Sequence, residues 1–238
     1  MSNSDGLDIG NRMKEYEKVT EFLLPHRIPV ILRLDGRAFH TITRKRFGKD
    51  WSMEFVEQMI QTAQTVMSDI QGCNFCYSQS DEISFLLTDY KTIRTQGWFG
   101  YDVRKMISIS ASLASAVFSR LYGRNVCFDS RVFSVPQDEV CNYFIWRQLD
   151  ATRNAIQIAG REYFSHKKLQ NKNCSEIQKM LFSEKGVNYN DYSIIRKRGF
   201  CIANNEEVDF SIPIFIQERE YINRFVYIKE NTNNKNNT

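Results

Sequence analysis

Glycine and proline are sparse in this chain of 238 residues, with 11 Gly and 4 Pro, and its six cysteines follow no repeating spacing. That scarcity excludes a collagen-like or low-complexity chain, and the few cysteines exclude a disulfide framework. Cys73 and Cys76 form a single C-x-x-C pair. Among Cys127, Cys141, Cys174, Cys201, His26, His40 and His166 nothing supplies the second pair that a structural zinc requires. Buried free thiols in a reducing compartment fit this usage better. Apolar runs never approach the roughly 18 to 20 residues that span a membrane. The opening Met1-Ser2-Asn3-Ser4-Asp5-Gly6 lacks the basic flank and apolar stretch of a secretory signal, so a cytoplasmic protein with no membrane partner is expected.

What is present is enough for a real core: 42% hydrophobic and 13% aromatic residues. A net charge of +4, from 32 basic and 28 acidic residues, permits an anionic partner without demanding one. Basic clusters say more than the total. Arg44-Lys45-Arg46 with Lys49, Arg104-Lys105, His166-Lys167-Lys168 and Arg196-Lys197-Arg198 lie close to aromatic residues. Such mixtures suit phosphate backbones and stacked bases, and equally a solvated face. Arg131, Arg196, Lys197 and Arg198 are the candidate RNA contacts.

The apolar spacing of Met13, Tyr16, Val19, Thr20 and Leu23 predicts an N-terminal helix running to Pro25. Pro29 to Gly36 is a short apolar run closed by Asp35-Gly36, which reads as a buried strand. From Trp51 a helical stripe (Phe55, Met59, Ala63, Val66, Met67, Ile70) follows, with Ser52 as N-cap and Gly72 as stop. Asn74 to Ser78 and Glu82 to Leu87 flank a polar tip at Gln79-Ser80-Asp81, which reads as a hairpin. A Ser- and Ala-rich helix from about Asp102 to Tyr122 can approach a sheet closely. Gly123 ends it, and Val126 to Val135 reads as a further strand.

Strand, helix, strand, strand, helix, strand is the order of the split β-α-β-β-α-β, ferredoxin-like fold, an α+β architecture. Right-handed crossovers then run strands one and two parallel, with strand three antiparallel between them. The end of strand one and the hairpin tip therefore emerge together, and Asp35 meets Asp81. Strands lie about 4.8 Å apart, so two carboxylates there can hold one divalent ion or bridge a pair. Asp129, at the start of strand four, is a candidate third acid. Hard oxygen ligands make magnesium the default ion. Residues 1–135 form this core, 136–228 read as a mainly helical extension, and 229–238 as a disordered tail.

Five segments in this order carry a resemblance. Leu34-Asp35-Gly36-Arg37-Ala38-Phe39-His40, Tyr77-Ser78-Gln79-Ser80-Asp81-Glu82-Ile83-Ser84-Phe85, Phe128-Asp129-Ser130-Arg131, Trp146-Arg147-Gln148 with Asp150, and Gly186-Val187-Asn188-Tyr189-Asn190 together resemble the tRNA-histidine guanylyltransferase superfamily. The likeness extends from about Met13 to Cys201. It implies a polymerase-like palm that adds nucleotides in the 3′-to-5′ direction to tRNA 5′ ends. It also implies two Mg²⁺ per active site, on Asp35, the Gly36 carbonyl and Asp81, with Glu82 as a further acid required for activity. Nucleotides (ATP, GTP and other NTPs) would be held by Asp35, Gly36, Arg37, Ala38, Phe39 and His40 together with Ser80 and Asp81. Lys49 and Lys105 lie near positions where the family places triphosphate-binding bases. Topology puts Lys105 at the far end of the sheet, so a returning loop or a subunit contact would be needed to bring it in. The resemblance further implies a homotetramer.

Guanylyltransferases of histidine tRNA carry His-Ile-Asn-Asn-Leu-Tyr-Asn after the Trp-Arg-Gln segment. This chain has Thr152-Arg153-Asn154-Ala155-Ile156-Gln157-Ile158 there, which preserves only the first Asn. It thus resembles the Thg1-like branch, which repairs truncated tRNA 5′ ends, and addition of the extra 5′ G to histidine tRNA is the alternative. A nucleotidyl cyclase and a non-catalytic RNA-binding module remain as other readings.

Overall fold

The computed structural model describes residues 4–39, 41–42, 52–204 and 207–227. His40, Lys49, the Arg44-Lys45-Arg46 cluster and the tail at 229–238 lie outside the described residues. Helix α1 (Ser4–Lys18) precedes β1 (Val30–Gly36), α2 (Met53–Asp69), β2 (Cys73–Gln79), β3 (Glu82–Leu87), α3 (Val103–Tyr122) and β4 (Phe128–Ser134). These elements give the split ferredoxin-like order β4-β1-β3-β2 with antiparallel neighbours. Ser52 is the N-cap and Gly123 the stop that the sequence predicts, whereas α2 ends at Asp69 with Ile70 as its C-cap, ahead of the predicted stop at Gly72. Ser52 Oγ accepts from Phe55 N, Asp102 accepts from the first amides of α3, and Gly123 ends that helix in the left-handed region at φ 78°.

Beyond residue 136 come α4 (Gln137–Tyr163), α5 (His166–Leu169), α6 (Cys174–Lys185), α7 (Ile194–Arg198), β5 (Phe200–Ala203), β6 (Val208–Asp209) and α8 (Glu220–Val226). Most of the ordered elements here are helices, and two short strands that the sequence reading did not include, β5 and β6, extend the sheet to six, β4-β1-β3-β2-β5-β6. The C-terminal region is therefore built into the edge of the core sheet. Four residues, Phe200-Cys201-Ile202-Ala203, are too short an apolar run for periodicity to separate strand from helix.

Alternation along β1 explains the layering. Leu32 and Leu34 face α2 and α3, where they pack with Met59, Ala63, Val66, Ala114 and Phe118. Ile31 faces the other side, with Phe75, Tyr77 and Leu86, against Val140 and Phe144 of α4 and Ile222 and Phe225 of α8. The small residues of α3 do allow close approach: Ser110 and Ala114 are fully buried, Ser110 Oγ lies 2.8 Å from Ser130 Oγ, and Ser115 Oγ accepts from Phe128 N at 2.9 Å. A third cluster, with Ala155, Ile156, Ile177, Leu181 and Tyr189, joins the second half of α4 to α6. The helix read to Pro25 ends earlier, at Lys18. Its stripe is exposed, with Ile9, Met13 and Tyr16 each more than half open to solvent. No described helix is long and apolar enough to cross a membrane.

One glycine ties the extension to the sheet. Gly199, between α7 and β5, has φ 81°, and a Cβ there would stand 2.0 Å from Ser78 O. A side chain would need both a disfavoured backbone and a displaced strand. Gly199→Ala is expected to cost about 3 kcal/mol or more, measured as a fall in the urea midpoint with the slope unchanged.

Candidate active site

The ends of β1, β3 and β4 and the β2–β3 turn build one site. Asp35 stands opposite Glu82 on one side and Asp129 on the other, so all three side chains share a face of the sheet. Gly36 N donates to Asp81 O at 3.0 Å and Arg37 N donates to Cys127 O at 2.9 Å, which fastens the exit of β1 to both neighbouring turns. Gly36 is required by packing: a Cβ would lie 2.4 Å from the Phe39 ring, itself buried against Phe118 and Phe128. The hairpin tip is the two-residue turn Ser80-Asp81, where Ser80 adopts φ 57°, a left-handed conformation that an L-residue holds at a cost. Ser80 Oγ donates to Asp81 Oδ1 at 3.1 Å.

Helix α4 closes the site from the other side. A cleft of ≈ 510 Å³ is lined by Arg33, Asp35, Gln79, Asp81 and Glu82 from the sheet side and Trp146, Arg147, Asp150 and Asn154 from α4. Arg147 donates to both oxygens of Glu82, at 2.6 Å each, and to Asp150 at 3.0 Å, while Arg33 lies 4.0 Å from Glu82. Burial pushes the Glu82 carboxyl up, and the Arg147 fork opposes it. Glu82 is thus a clamped acid. Arg33 Nε is buried with no partner among the described residues, a donor on the same face.

Asp81 is different. Burial raises its carboxyl from the ordinary 3.8 to about 6, and the nearby Asp35 and Glu82 charges add to that rise. Among the described residues no lysine or arginine side chain pairs with Asp35 or Asp81, whereas Asp129 pairs with Arg131 at 3.6 Å. Two hard carboxylates that share one cleft, with no basic side chain paired to either among the described residues, fit a divalent ion. No three His, Cys, Asp or Glu side chains form a self-sufficient metal centre among the described residues, so such an ion would complete its shell with water and ligand oxygens.

The other expected residues separate. Arg131 stands beside Arg33 in register and lines the cleft. Arg37 and Ala38 are exposed at the exit of β1, while Phe39 is 1% exposed and belongs to the core. Lys105 is exposed at the opposite end of the sheet: Val103 N, two residues before it, bonds Phe22 O, ahead of the start of β1. Within one chain it is not brought to Asp35. Arg196 pairs with Glu162 and stacks 3.6 Å over Tyr192, Lys197 donates to Asn190 O, and Arg198 donates to Ile212 O. Arg33, Arg147, Asp150 and Asn154 were given no role by sequence reasoning. The Trp146-Arg147-Gln148 segment was the signal for Arg147.

The raised carboxyl has a sign. Below 3.8 Asp81 is protonated in folded and unfolded chains alike. From 3.8 to about 6 only the unfolded chain ionises, so stability falls as pH rises through that window and stays lower above it. At pH ~8 without divalent ions, Asp81→Asn is expected to stabilise the protein by about 1–3 kcal/mol, a gain absent near pH ~3.5. Adding Mg²⁺ should raise the melting temperature of the wild type and leave that of Asp81→Asn nearly unmoved. Thermal melts at both pH values, with and without Mg²⁺, read all three.

The sequence profile of the tRNAHis guanylyltransferase family, Thg1, matches residues 10–136. The tRNA(His) guanylyltransferase of Debaryomyces hansenii is 30% identical over 226 residues, covering 84% of this chain and 80% of the relative. A bacterial tRNA(His) guanylyltransferase (Thg1)-like protein in complex with ATP superposes with a TM-score of 0.89 at 40% identity, covering 93% of this chain and 100% of the other. A bacterial Thg1-like protein in complex with GTP superposes with a TM-score of 0.80 at 38% identity, over 92% of this chain and 99% of that one. With the profile spanning more than half the sequence and the whole fold reproduced, the chain belongs to the tRNAHis guanylyltransferase family of nucleotidyltransferases.

Proposed function

We propose that this protein repairs tRNA 5′ ends by templated nucleotide addition in the 3′-to-5′ direction. The observation that carries the reading is the meeting of Asp35 and Asp81 on the wall of a ≈ 510 Å³ cleft that Arg33 and Arg131 also line. Asp35, the Gly36 carbonyl and Asp81 would hold two Mg²⁺, which when bound neutralise phosphate charge and activate the attacking hydroxyl. Arg33 and Arg131 point to phosphate oxygens as their ligands. Trp146, 53% exposed on the cleft wall, offers a ring for a base.

A tRNA 5′-monophosphate is a poor electrophile, because direct displacement would expel oxide or water. Its phosphate oxygen first attacks the α-phosphorus of ATP and releases pyrophosphate. The 3′-hydroxyl of the incoming nucleotide then attacks the activated 5′-phosphorus, forming the new phosphodiester and expelling AMP. A 5′-triphosphate end needs no first step and loses pyrophosphate directly. Alignment and charge neutralisation carry both reactions. Nucleotide binding is supported by the ATP and GTP complexes of the bacterial Thg1-like relatives.

Repair is favoured over histidine-tRNA guanylylation by the segment from Thr152 to Ile158. It keeps Asn154 on the cleft wall, and its Thr152 and Ile156 turn to another cavity. The Debaryomyces guanylyltransferase relative favours the second reading, addition of the extra 5′ G. Incubation with a tRNA lacking its first nucleotide, Mg²⁺, ATP and labelled nucleotides is expected to restore the end. Asp35→Ala and Asp81→Ala should each reduce addition by roughly 10²–10³-fold or more while the fold persists. No addition to either mono- or triphosphorylated tRNA sinks the proposal, and G addition to intact histidine tRNA alone selects the second reading.

The assembly belongs to the same reading: a homotetramer, supported by the exposed stripe of Ile9, Met13 and Tyr16 on α1 followed by exposed Val19 and Phe22. Light scattering is expected to give four chains for the wild type and fewer for Met13→Glu.

A further inference from the structure

A second cavity, of ≈ 310 Å³, lies on another face of α4, outside the site above. Its floor is polar and cationic, with Tyr189, Asn190, Lys197 and Arg198, and its wall is aliphatic, with Leu149 and Ile216 each more than half exposed. Two residues of this lining each carry a buried polar atom with no hydrogen-bond partner among the described residues: Tyr189 Oη, on a side chain only 6% exposed, and Arg198 Nε. Unpartnered buried polar atoms are rare, because each costs about 1–3 kcal/mol. Both can donate. No Asp or Glu lines the cavity among the described residues, and the charges of Arg196 and Arg198 act on the Tyr189 phenol.

The local chain is built to present these groups. Gly186 ends α6 in the left-handed region at φ 67°, Asn188 Oδ1 caps the following turn by accepting from Asn190 N at 3.1 Å, and Tyr189 begins that turn. Lys197 Nζ reaches back to Asn190 O at 2.6 Å, leaving its other protons to the cavity. Tyr77 Oη donates to Arg198 O at 2.9 Å, which fixes α7 to the core sheet. The segment Gly186 to Asn190 therefore has a shape that nothing in the first site uses.

We infer that this cavity is a second nucleotide site, which takes a phosphate on Lys197, Arg198 and Tyr189 Oη and a base between the aliphatic walls. An acid-free floor with unpaired donors selects an anion. Apolar walls select a flat or apolar body. The wall amides and hydroxyl of Gln178, Asn190 and Thr152 offer the donors and acceptors that read a base edge, which a hydrocarbon chain would leave unpaired. The nucleotide can be free or part of a single-stranded stretch of tRNA.

The test uses the full chain as Asp35→Asn/Asp81→Asn in EDTA, so that failure of the repair reading and failure of this one are read separately. Labelled AMP and GMP are titrated by fluorescence anisotropy. One saturable site per chain is expected, weakened at least about fivefold by Tyr189→Phe and by Lys197→Met. Tyr189→Phe removes only an atom without a partner among the described residues, so its unfolding midpoint should equal or exceed that of its parent, which separates lost binding from lost folding. Displacement of the label by intact tRNA, but not by tRNA stripped of its single-stranded 3′ nucleotides, assigns the site to RNA. Binding of the label without that displacement assigns it to a free nucleotide. Absence of mononucleotide binding, affinity unchanged in both variants, or displacement by oleate but by neither nucleotide nor tRNA overturns the inference.

Discussion

Two carboxylates held side by side repel each other, and the site exists because the fold leaves them no escape. The backbone at Asp35 is fixed, since its strand is zipped between β3 and β4 and the next amide, Gly36 N, is bonded to Asp81 O. Asp81 cannot retreat either, because it occupies a two-residue turn whose first residue already holds a left-handed backbone. Burial lifts the Asp81 carboxyl to about 6, and the charge of Asp35 adds to that rise. A cation bound between these carboxylates would favour their ionised forms, which would link ion binding to folding.

Glu82 shows the opposite solution to the same problem, one residue away. Its charge is absorbed by a forked pair with Arg147 and by Arg33 behind it. Removing one partner from such a half-buried pair would leave an uncompensated charge beside the two acids. The clamp therefore does two things together. It keeps a third negative charge from adding fully to the repulsion between Asp35 and Asp81, and it locks α4 onto the end of the sheet, so the cleft has a fixed far wall.

Much of this was legible in the chain, for reasons that depend on distance along it. β1, the β2–β3 hairpin and β4 follow from short apolar runs closed by turn residues, and handedness alone then brings Asp35 to Asp81. Ser52 and Gly123 announced their helix ends. What escaped was long-range or too short to have a period. Arg147 and Glu82 are partners across 65 residues, and no local pattern pairs an arginine in a helix with an acid at a hairpin. β5 is only four residues long, and its place at the sheet edge depends on Gly199 bringing the chain against Ser78 O. Carry-over by position was weakest for Lys105, whose neighbours bond the segment before β1 rather than the site.

Helix α4 is the element on which both cavities converge, and its geometry explains why one helix can serve two. Residues 146, 147, 150 and 154 recur at three- and four-residue steps on one stripe, while 145, 148, 149, 152 and 156 recur on the next. The stripes lie side by side, so movement of the helix toward one cavity necessarily alters the other. Gln148 makes that coupling stiff: its amide donates to Pro213 O and accepts from Phe215 N, each at 2.9 Å, which fastens the segment carrying Ile214 and Ile216 to the same helix that carries Arg147. A ligand between those walls would therefore rest on the same helix that carries Arg147 to Glu82.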